Sequence, residues 1–494
     1  MAKLGREAAR GWAREEFGFA DLGDLRRNRR LVELAEAAAN RPGGAVTTVF
    51  KKGAAREAAF RFLENKAVDP VEVGRAASLA CARRVAARGG EFAFVPVDGS
   101  SLKITDEAGA KGLGVVGSRK KGALGLEVMS AIAVAADGTP LGLCGQSYWA
   151  RGEAVPGSQR HKRNRKPTAK ETKYWLEVMD QVRAVFSSEA AGVRPWYQLD
   201  RGADAWPVLL QGLEANELFT VRAAQDRRLT LRKGETKRRY LWRAMEKLAV
   251  GAVKELPIPA LPARPARHGK ARPARRARTA KIELRWGRVS LDLVTHNKKC
   301  RQAPLFALLA CETRKSARKE EPIEWLLLTS RPIRSRADAE LVLNGYSQRW
   351  RIEQFHKTWK TDGCNIEDTQ LRSRNNIIRW ATVLASVAMR AVRLQYLARN
   401  TPEVPATLEL TRGEIDAVIL LYEAPTKGPR AGKKPKLGSV PTMGEIVELL
   451  AYLGGYTGKS SGGPPGARVI TRGLENISAL AMALDLGVVT PAKK

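Results

Sequence analysis

The spacing of apolar positions changes twice along the chain. Up to about residue 75, Trp12, Phe17, Leu22, Leu31 and Leu34 recur at helical intervals among Arg- and Ala-rich turns, and LGDLRRNRRLVELAEAAA is the clearest amphipathic stretch. This segment is expected to be helical. From about 90, short apolar runs bounded by Gly and Pro take over: EFAFVPVDGSS, LEVMSAIAVAADGTP and LGLCGQSYWA, then, after a helical stretch around 172–187, VRPWYQLDRGAD and LFTVRAA. Such runs read as strands, and the mixture predicts an α/β sheet. Two of the strands end in an aspartate, Asp98 and Asp200. Ligands of α/β sheets gather at strand ends, where side chains converge outside the ladder.

Between about 225 and 326 two β-like stretches, KIELRWGRVSLDLV and LFALLACET, flank LPARPARHGKARPARRARTAK (261–281). That run is too rich in Pro, Ala and Arg to build a core and is expected to be a mobile basic loop. The region reads as a β-rich insertion, after which the α/β domain resumes at IEWLLLTS. The tail opens with a long helix, IIRWATVLASVAMRAVRLQYLA, passes a second basic loop, TKGPRAGKKPKLGS, and ends in helical pieces. No repeat of fixed period is present.

Charge narrows the function. Lys and Arg number 86 against 51 Asp and Glu, a formal charge of +35, far more than solubility requires, so a polyanionic partner is expected and nucleic acid comes first. A membrane surface is the competing polyanion, but no apolar run approaches the ~20 residues of a spanning helix. The N-terminal residues MAKLGREAARGW lack the apolar core of a signal peptide, and an intracellular location is expected. Five scattered cysteines with no CxxC pair and four dispersed histidines suggest neither a zinc site nor a disulfide framework. Any metal would have to be held by carboxylates. Arg26, Arg27, Arg29 and Arg30 crowd less than two turns, either as a solvated helix face or as a surface gripping phosphates.

YSQRWRIEQFHKTWK (346–360) carries one acid among many cations. At 100° per residue, Tyr346, Arg349, Glu353, His356, Lys357 and Lys360 fall within a roughly 100° arc, with Ile352, Phe355 and Trp359 opposite. A plain helix surface with pairs such as Glu353 with Arg349 or Lys357 accounts for this at ~0.3–0.5 kcal/mol each. The two strand-end aspartates offer a second reading. Asp98, Asp200 and Glu353 are the acidic oxygens that two-metal phosphoryl transfer requires, holding a pair of Mg²⁺ ions ~3.5–4 Å apart. Arg349 and Lys360 would then clamp the scissile and neighbouring phosphates, Tyr346 would add a hydroxyl contact, and His356 and Lys357 share their face.

The spacing Tyr346-x2-Arg349-x3-Glu353-x6-Lys360, following VDGSS at Asp98 and LDRGAD at Asp200, resembles the Y-R-E-K signature and the first two acidic motifs of the insertion-sequence-four family of bacterial DDE transposases. LGDLRRNRRLV, AAFRFLEN, WLLLTS and LGGY extend the resemblance over nearly the whole chain. It implies an α/β fold with an RNase H-like mixed-sheet catalytic core, a β-rich insertion, and flanking helical domains. The parts would be an end-binding domain (1–75), the core (76–225 and 327–375), the insertion (226–326) and a dimerisation domain (376–494). It also implies nicking at the transposon end, a DNA hairpin intermediate, and joining of 3′-OH ends to target DNA, with two Mg²⁺ ions for which Mn²⁺ substitutes. The partners would be transposon-end duplex, target DNA and a second copy in a synaptic dimer, with no membrane, in the bacterial cytoplasm near the nucleoid.

By position, Trp325 matches the tryptophan on which a flipped base stacks, with a core role as its alternative, and Trp350 is placed to assist or to pack in the core. Arg222 resembles an arginine near the cleaved end, with a strand-surface ion pair as its alternative. Arg26, Arg27 and Arg30 match end-binding residues. Gly99 stands where a relative carries Thr, and Gly202 where it carries Glu; neither change removes one of the expected metal ligands. The stretch 157–170 is richer in cations than the family leads one to expect. A nuclease on the same core, or a DNA-binding protein without catalysis, are the competing functions.

Overall fold

The computed structural model describes residues 11–489 except 118–121, 153–170, 232–233, 259–262, 264–273, 275, 314–321, 425–436 and 459–462. The basic stretches 157–170, 261–281 and 427–437 therefore lie wholly or largely outside the described residues.

The N-terminal helices are α1 (Gly11–Phe17), α2 (Leu25–Asn40), α3 (Val46–Val49), α4 (Gly53–Glu64) and α5 (Pro70–Arg88). Asp24 starts α2 by accepting from the Arg26 amide at 2.7 Å, and Asp69 does the same for α5 ahead of Pro70 in its first turn. There follow β1 (Phe92–Lys103), β2 (Gly114–Val115), β3 (Leu124–Val134), β4 (Pro140–Trp149), α6 (Thr172–Glu189), β5 (Arg194–Leu199), α7 (Trp206–Glu214) and β6 (Leu218–Arg222). Next come α8 (Leu241–Glu246), β7 (Ala252–Ile258), β8 (Arg278–Val294), β9 (Cys300–Glu312) and β10 (Glu324–Thr329). Helices α9 (Arg336–Ser347), α10 (Trp350–Lys360), α11 (Arg374–Asn400), α12 (Arg412–Glu423), α13 (Met443–Leu453) and α14 (Ala467–Asp485) complete the chain.

Among the described residues the strands join one ten-stranded mixed sheet in the order β2-β3-β1-β5-β6-β10-β9-β8-β7, with β4 also paired to β3. β1, β5 and β6 run parallel to one another and the remaining pairs are antiparallel. The strands of the expected insertion, β7 to β9, extend the central sheet through β10.

Alternation along β1 sorts side chains to two buried faces. Val95 and Val97 point into a core completed by Val178, Met179 and Val182 of α6 and Cys81 and Val85 of α5. Phe94 and Leu102 point the other way, into a core built with Ile352, Phe355 and Trp359 of α10 and the first two-thirds of α11. The N-terminal helices share this second core: Arg379 of α11 donates to the carbonyls of Val68 and Leu63, and the Trp380 indole donates to that of Gly44. Leu394 and Leu397, at the far end of α11, belong instead to a third core with α12, α13 and α14. The boundaries expected near 75, 326 and 376 therefore fall inside α5, β10 and α11, elements that each serve two neighbours.

Candidate active site

The last residues paired between the parallel strands β1 and β5 are Val97 and Leu199. Asp98 and Asp200 come immediately after them, so the two carboxylates leave neighbouring strands at the same level of the sheet. β5 stops there because the Asp200 side chain accepts from the Gly202 amide at 2.7 Å and caps a single 3₁₀ turn, Arg201–Ala203. A Cβ at Gly202 would come within 3.0 Å of that carboxylate, whereas one at Gly99 would meet only ordinary contacts. The glycine in the second motif thus gives the capped turn room.

Asp98 is largely buried. Burial, followed by the charge of Asp200, pushes its pKa up to about 6, against the opposing pull of Arg349; Glu353 raises it further. Glu353 sits in the first turn of α10, where the helix dipole favours a carboxylate. Arg349 joins the acids: Nη1 donates to Asp98 Oδ2 at 3.0 Å and Nη2 to Glu353 Oε1 at 2.5 Å. The i to i+4 pair of the plain helix reading exists, and the same guanidinium reaches a residue 251 positions away.

The stretch 346–360 is not one helix. α9 ends at Ser347, and the tightened bonds from Arg349 N to Tyr346 O and from Ile352 N to Arg349 O start α10 anew. Tyr346 is consequently not on the open face expected of it. The residue is 4 % exposed, its ring edge-on to that of Trp325 at 5.2 Å, with Arg222 and Arg349 both acting on its hydroxyl. Arg222 donates to the Glu324 carbonyl and is lowered from its usual pKa, first by burial and then by Arg201. Lys360 donates to the Ser101 carbonyl at 2.6 Å and lies 3.5 Å from Glu367, while Lys357 is exposed beside Asp362. Trp350 is 59 % exposed and Trp325 half-buried.

His356 corrects the sequence reading. It is buried, and among the described residues its Nε2 has no hydrogen-bond partner, so it is not on the open face expected of it. Two further charged side chains adjoin these residues without having been expected: Arg201, whose charge acts on Arg222, and Glu367, paired with Lys360. Arg201 adjoins Asp200 in LDRGAD, a signal overlooked because the motif was read for its acid alone; nothing in the sequence ties Glu367 to Lys360.

Among the described residues no three acidic, histidine or cysteine side chains stand close enough to form a ready metal cage. The donor chemistry nevertheless suits a hard cation: carboxylate oxygens at two adjoining strand ends, and a third held to Asp98 through Arg349.

Three family models match the chain. Residues 9–68 match "Transposase DNA-binding", 166–389 match "Transposase DDE domain", and 386–485 match "Transposase Tn5 dimerisation domain". The chain belongs to the Tn5-like DDE transposases. It is therefore a DNA-cleaving, strand-transferring enzyme with an RNase H-like core, of a domain class that uses divalent metals. DNA and a second copy of the chain are the partners that the flanking matches suggest. No helix among the described residues is long and apolar enough to cross a membrane.

Within the transposase, the DDE match includes Asp200 and Glu353 but begins after Asp98, so Asp98 is tied to the site by the sheet register. Of the arginines in the DNA-binding match, Arg26 is open to solvent beside Asp24, Arg30 pairs with Glu33, and Arg27 donates to the Leu22 carbonyl. The DDE and dimerisation matches meet inside α11, near where its packing passes from one core to the next.

The burial of His356 yields a pH prediction. Burial, aided by the charge of Lys360, lowers its pKa from 6.5 to about 3. The unfolded chain takes up this proton below about 6.5 and the folded chain only near 3, so folded-state stability falls as pH drops through that window. Between pH 6.5 and 5 a His356→Leu variant should lose about 2 kcal/mol less stability to urea than the wild type. Its affinity for end DNA should stay within about twofold. Parallel acid losses in the two proteins would contradict the buried, neutral imidazole.

Proposed function

We propose that this transposase works by cut-and-paste. It binds inverted-repeat ends as a synaptic dimer, nicks them, excises the element through a DNA hairpin, and joins the 3′-OH ends to target DNA. The observation that carries the proposal is the emergence of Asp98 and Asp200 side by side beyond the Val97–Leu199 pair, with Glu353 linked to Asp98 through the Arg349 guanidinium. Two Mg²⁺ ions, or Mn²⁺ in their place, held by these three carboxylates would sharpen the attacking oxygen and stabilise the departing one.

The surrounding side chains then have distinct work. Arg201, Arg222 and Arg349 supply guanidiniums in one neighbourhood, suited to a scissile phosphodiester and its neighbours, and Lys360 stands at the edge of β1 for the next phosphate. Water attacks phosphorus and the 3′ oxygen leaves as a hydroxyl, which attacks the opposite strand. Each exchange forms one P–O bond and breaks one, so a single set of residues serves every step. Trp325 and Trp350 are the aromatic surfaces that can receive an unstacked base when the hairpin closes. Arg26 and Arg30 on α2 grip the end duplex, and the helices after α11 pair the two copies.

Incubating the protein with its own inverted-repeat DNA and Mg²⁺ and resolving the products on a denaturing gel tests this reading. A double-length, snap-back strand is expected; nicks alone would mean a nuclease. Replacing Trp325 by Ala should slow hairpin formation by about 10²-fold while first-strand nicking changes less than about fivefold, since stacking one base is worth ~1–3 kcal/mol. Equal losses in both steps would remove base stacking from the role of Trp325.

A further inference from the structure

We infer that Arg349 is an internal cation that keeps divalent metal out of the acids until a DNA phosphate draws it away. The inference rests on the proposed metal ligation by Asp98, Asp200 and Glu353.

Asp98 has two oxygens to offer. Oδ1 is engaged by the Gly99 amide at 2.8 Å, and Oδ2 takes the Arg349 guanidinium. Glu353 gives Oε1 to the other arm of the same fork. Asp200 has one oxygen committed to the Gly202 amide. The oxygen atoms that an ion would share between β1 and α10 are therefore already bridged by a positive group, with the arginine side chain only 16 % exposed. A guanidinium and a divalent ion cannot occupy that gap together.

Arginine does not lose its proton at any working pH, so titration cannot release it. It leaves only if another anion takes its fork. Its setting favours such an exchange. Arg201 and Arg222 stand in the same neighbourhood, and their mutual repulsion is relieved by a phosphodiester. Arg349 also lies at the break between α9 and α10, where no side chain caps the new helix, so the fork can swing without unpicking a packed turn. Once the phosphate holds Arg349, Asp98 and Glu353 are free to accept the ion. By linkage, end DNA then raises metal affinity, and metal raises affinity for end DNA by the same factor. The consequence is a chain whose phosphodiester chemistry stays silent on metal alone.

Calorimetric titration of the full-length, DNA-free protein with Mn²⁺ tests this. Arg349→Gln should bind Mn²⁺ at least tenfold more tightly than the wild type, and adding Asp98→Asn to it should abolish the gain. Arg222→Gln removes an equal charge from the same neighbourhood without freeing either acid, and should shift affinity less than threefold. If Arg222→Gln matches Arg349→Gln, or if Arg349→Gln leaves affinity unchanged, the gating role is overturned. Melting in EDTA checks folding; should Arg349→Gln melt early, Arg349→Lys takes its place. One ammonium cannot hold both acids as the fork does, so a gain of at least threefold is then expected and no gain overturns the idea. The two readings fail separately. Unchanged binding by Arg349→Gln, in a protein whose wild type cuts end DNA with Mn²⁺ and whose Asp98→Asn form does not, removes the gate alone. Cutting that persists in Asp98→Asn removes the metal ligation with it.

Discussion

Asp98→Ala is expected to abolish nicking and joining, with a rate loss of at least about 10³-fold, roughly 4 kcal/mol of transition-state stabilisation. Affinity for transposon-end DNA should stay within about threefold. The asymmetry follows from where each energy arises. Duplex binding is a sum of many phosphate contacts spread over the cationic surface, and removing one carboxylate takes away none of them. The chemical step depends on a few oxygens at one point, and Asp98 supplies the one that emerges beside Asp200. The residue is also the most searching test because it lies outside the segment matched by the DDE domain and is assigned by strand pairing. Anisotropy with labelled end DNA reads the first quantity and a denaturing gel the second. A variant that still nicks at a tenth of the wild-type rate would place the reaction elsewhere; one that neither binds nor nicks, yet melts normally, would assign Asp98 to DNA contact.

The strand-end aspartates were legible because two ordinary rules coincide there. A short apolar run reads as a buried strand, and an acid followed by small residues reads as its end. The parallel pairing that sets Asp98 beside Asp200 is a long-range fact that no local pattern contains. Helix projection worked for Ile352, Phe355 and Trp359, all buried as expected. It failed for two neighbours of Glu353, for different reasons. Tyr346 belongs to α9, and the tightened turn at Gln348 and Arg349 breaks the phase that a single helix would carry forward. His356 is in phase, but a projection gives only directions around the axis; it does not show how much of the helix its neighbours cover, and His356 is buried, its ring 5.2 Å from that of Phe355. The ion pair of Arg349 with Glu353 was visible as a four-residue spacing. Its second arm, to Asp98, was not, because it needs the sheet to be assembled first.

Trp359→Ala should cost about 3–5 kcal/mol of folding stability, the usual toll of emptying a buried indole site. Trp359 has no exposed surface. Its ring stacks on Phe355 at 5.7 Å, its edge meets Tyr148, and its Nε1 donates to the Ala381 carbonyl of α11 at 3.0 Å. It therefore anchors α10 both to the sheet and to α11 from the side opposite Glu353, and the position of the acid depends on that anchor. Trp359→Phe keeps the stacking and loses the hydrogen bond and part of the volume. It should cost about 1–2 kcal/mol and leave cleavage within roughly tenfold of the wild type. Urea unfolding followed by circular dichroism measures both changes. If Trp359→Ala lost less than about 1 kcal/mol, α10 would not be fastened through this side chain, and Glu353 would need some other support to meet Asp98 and Asp200.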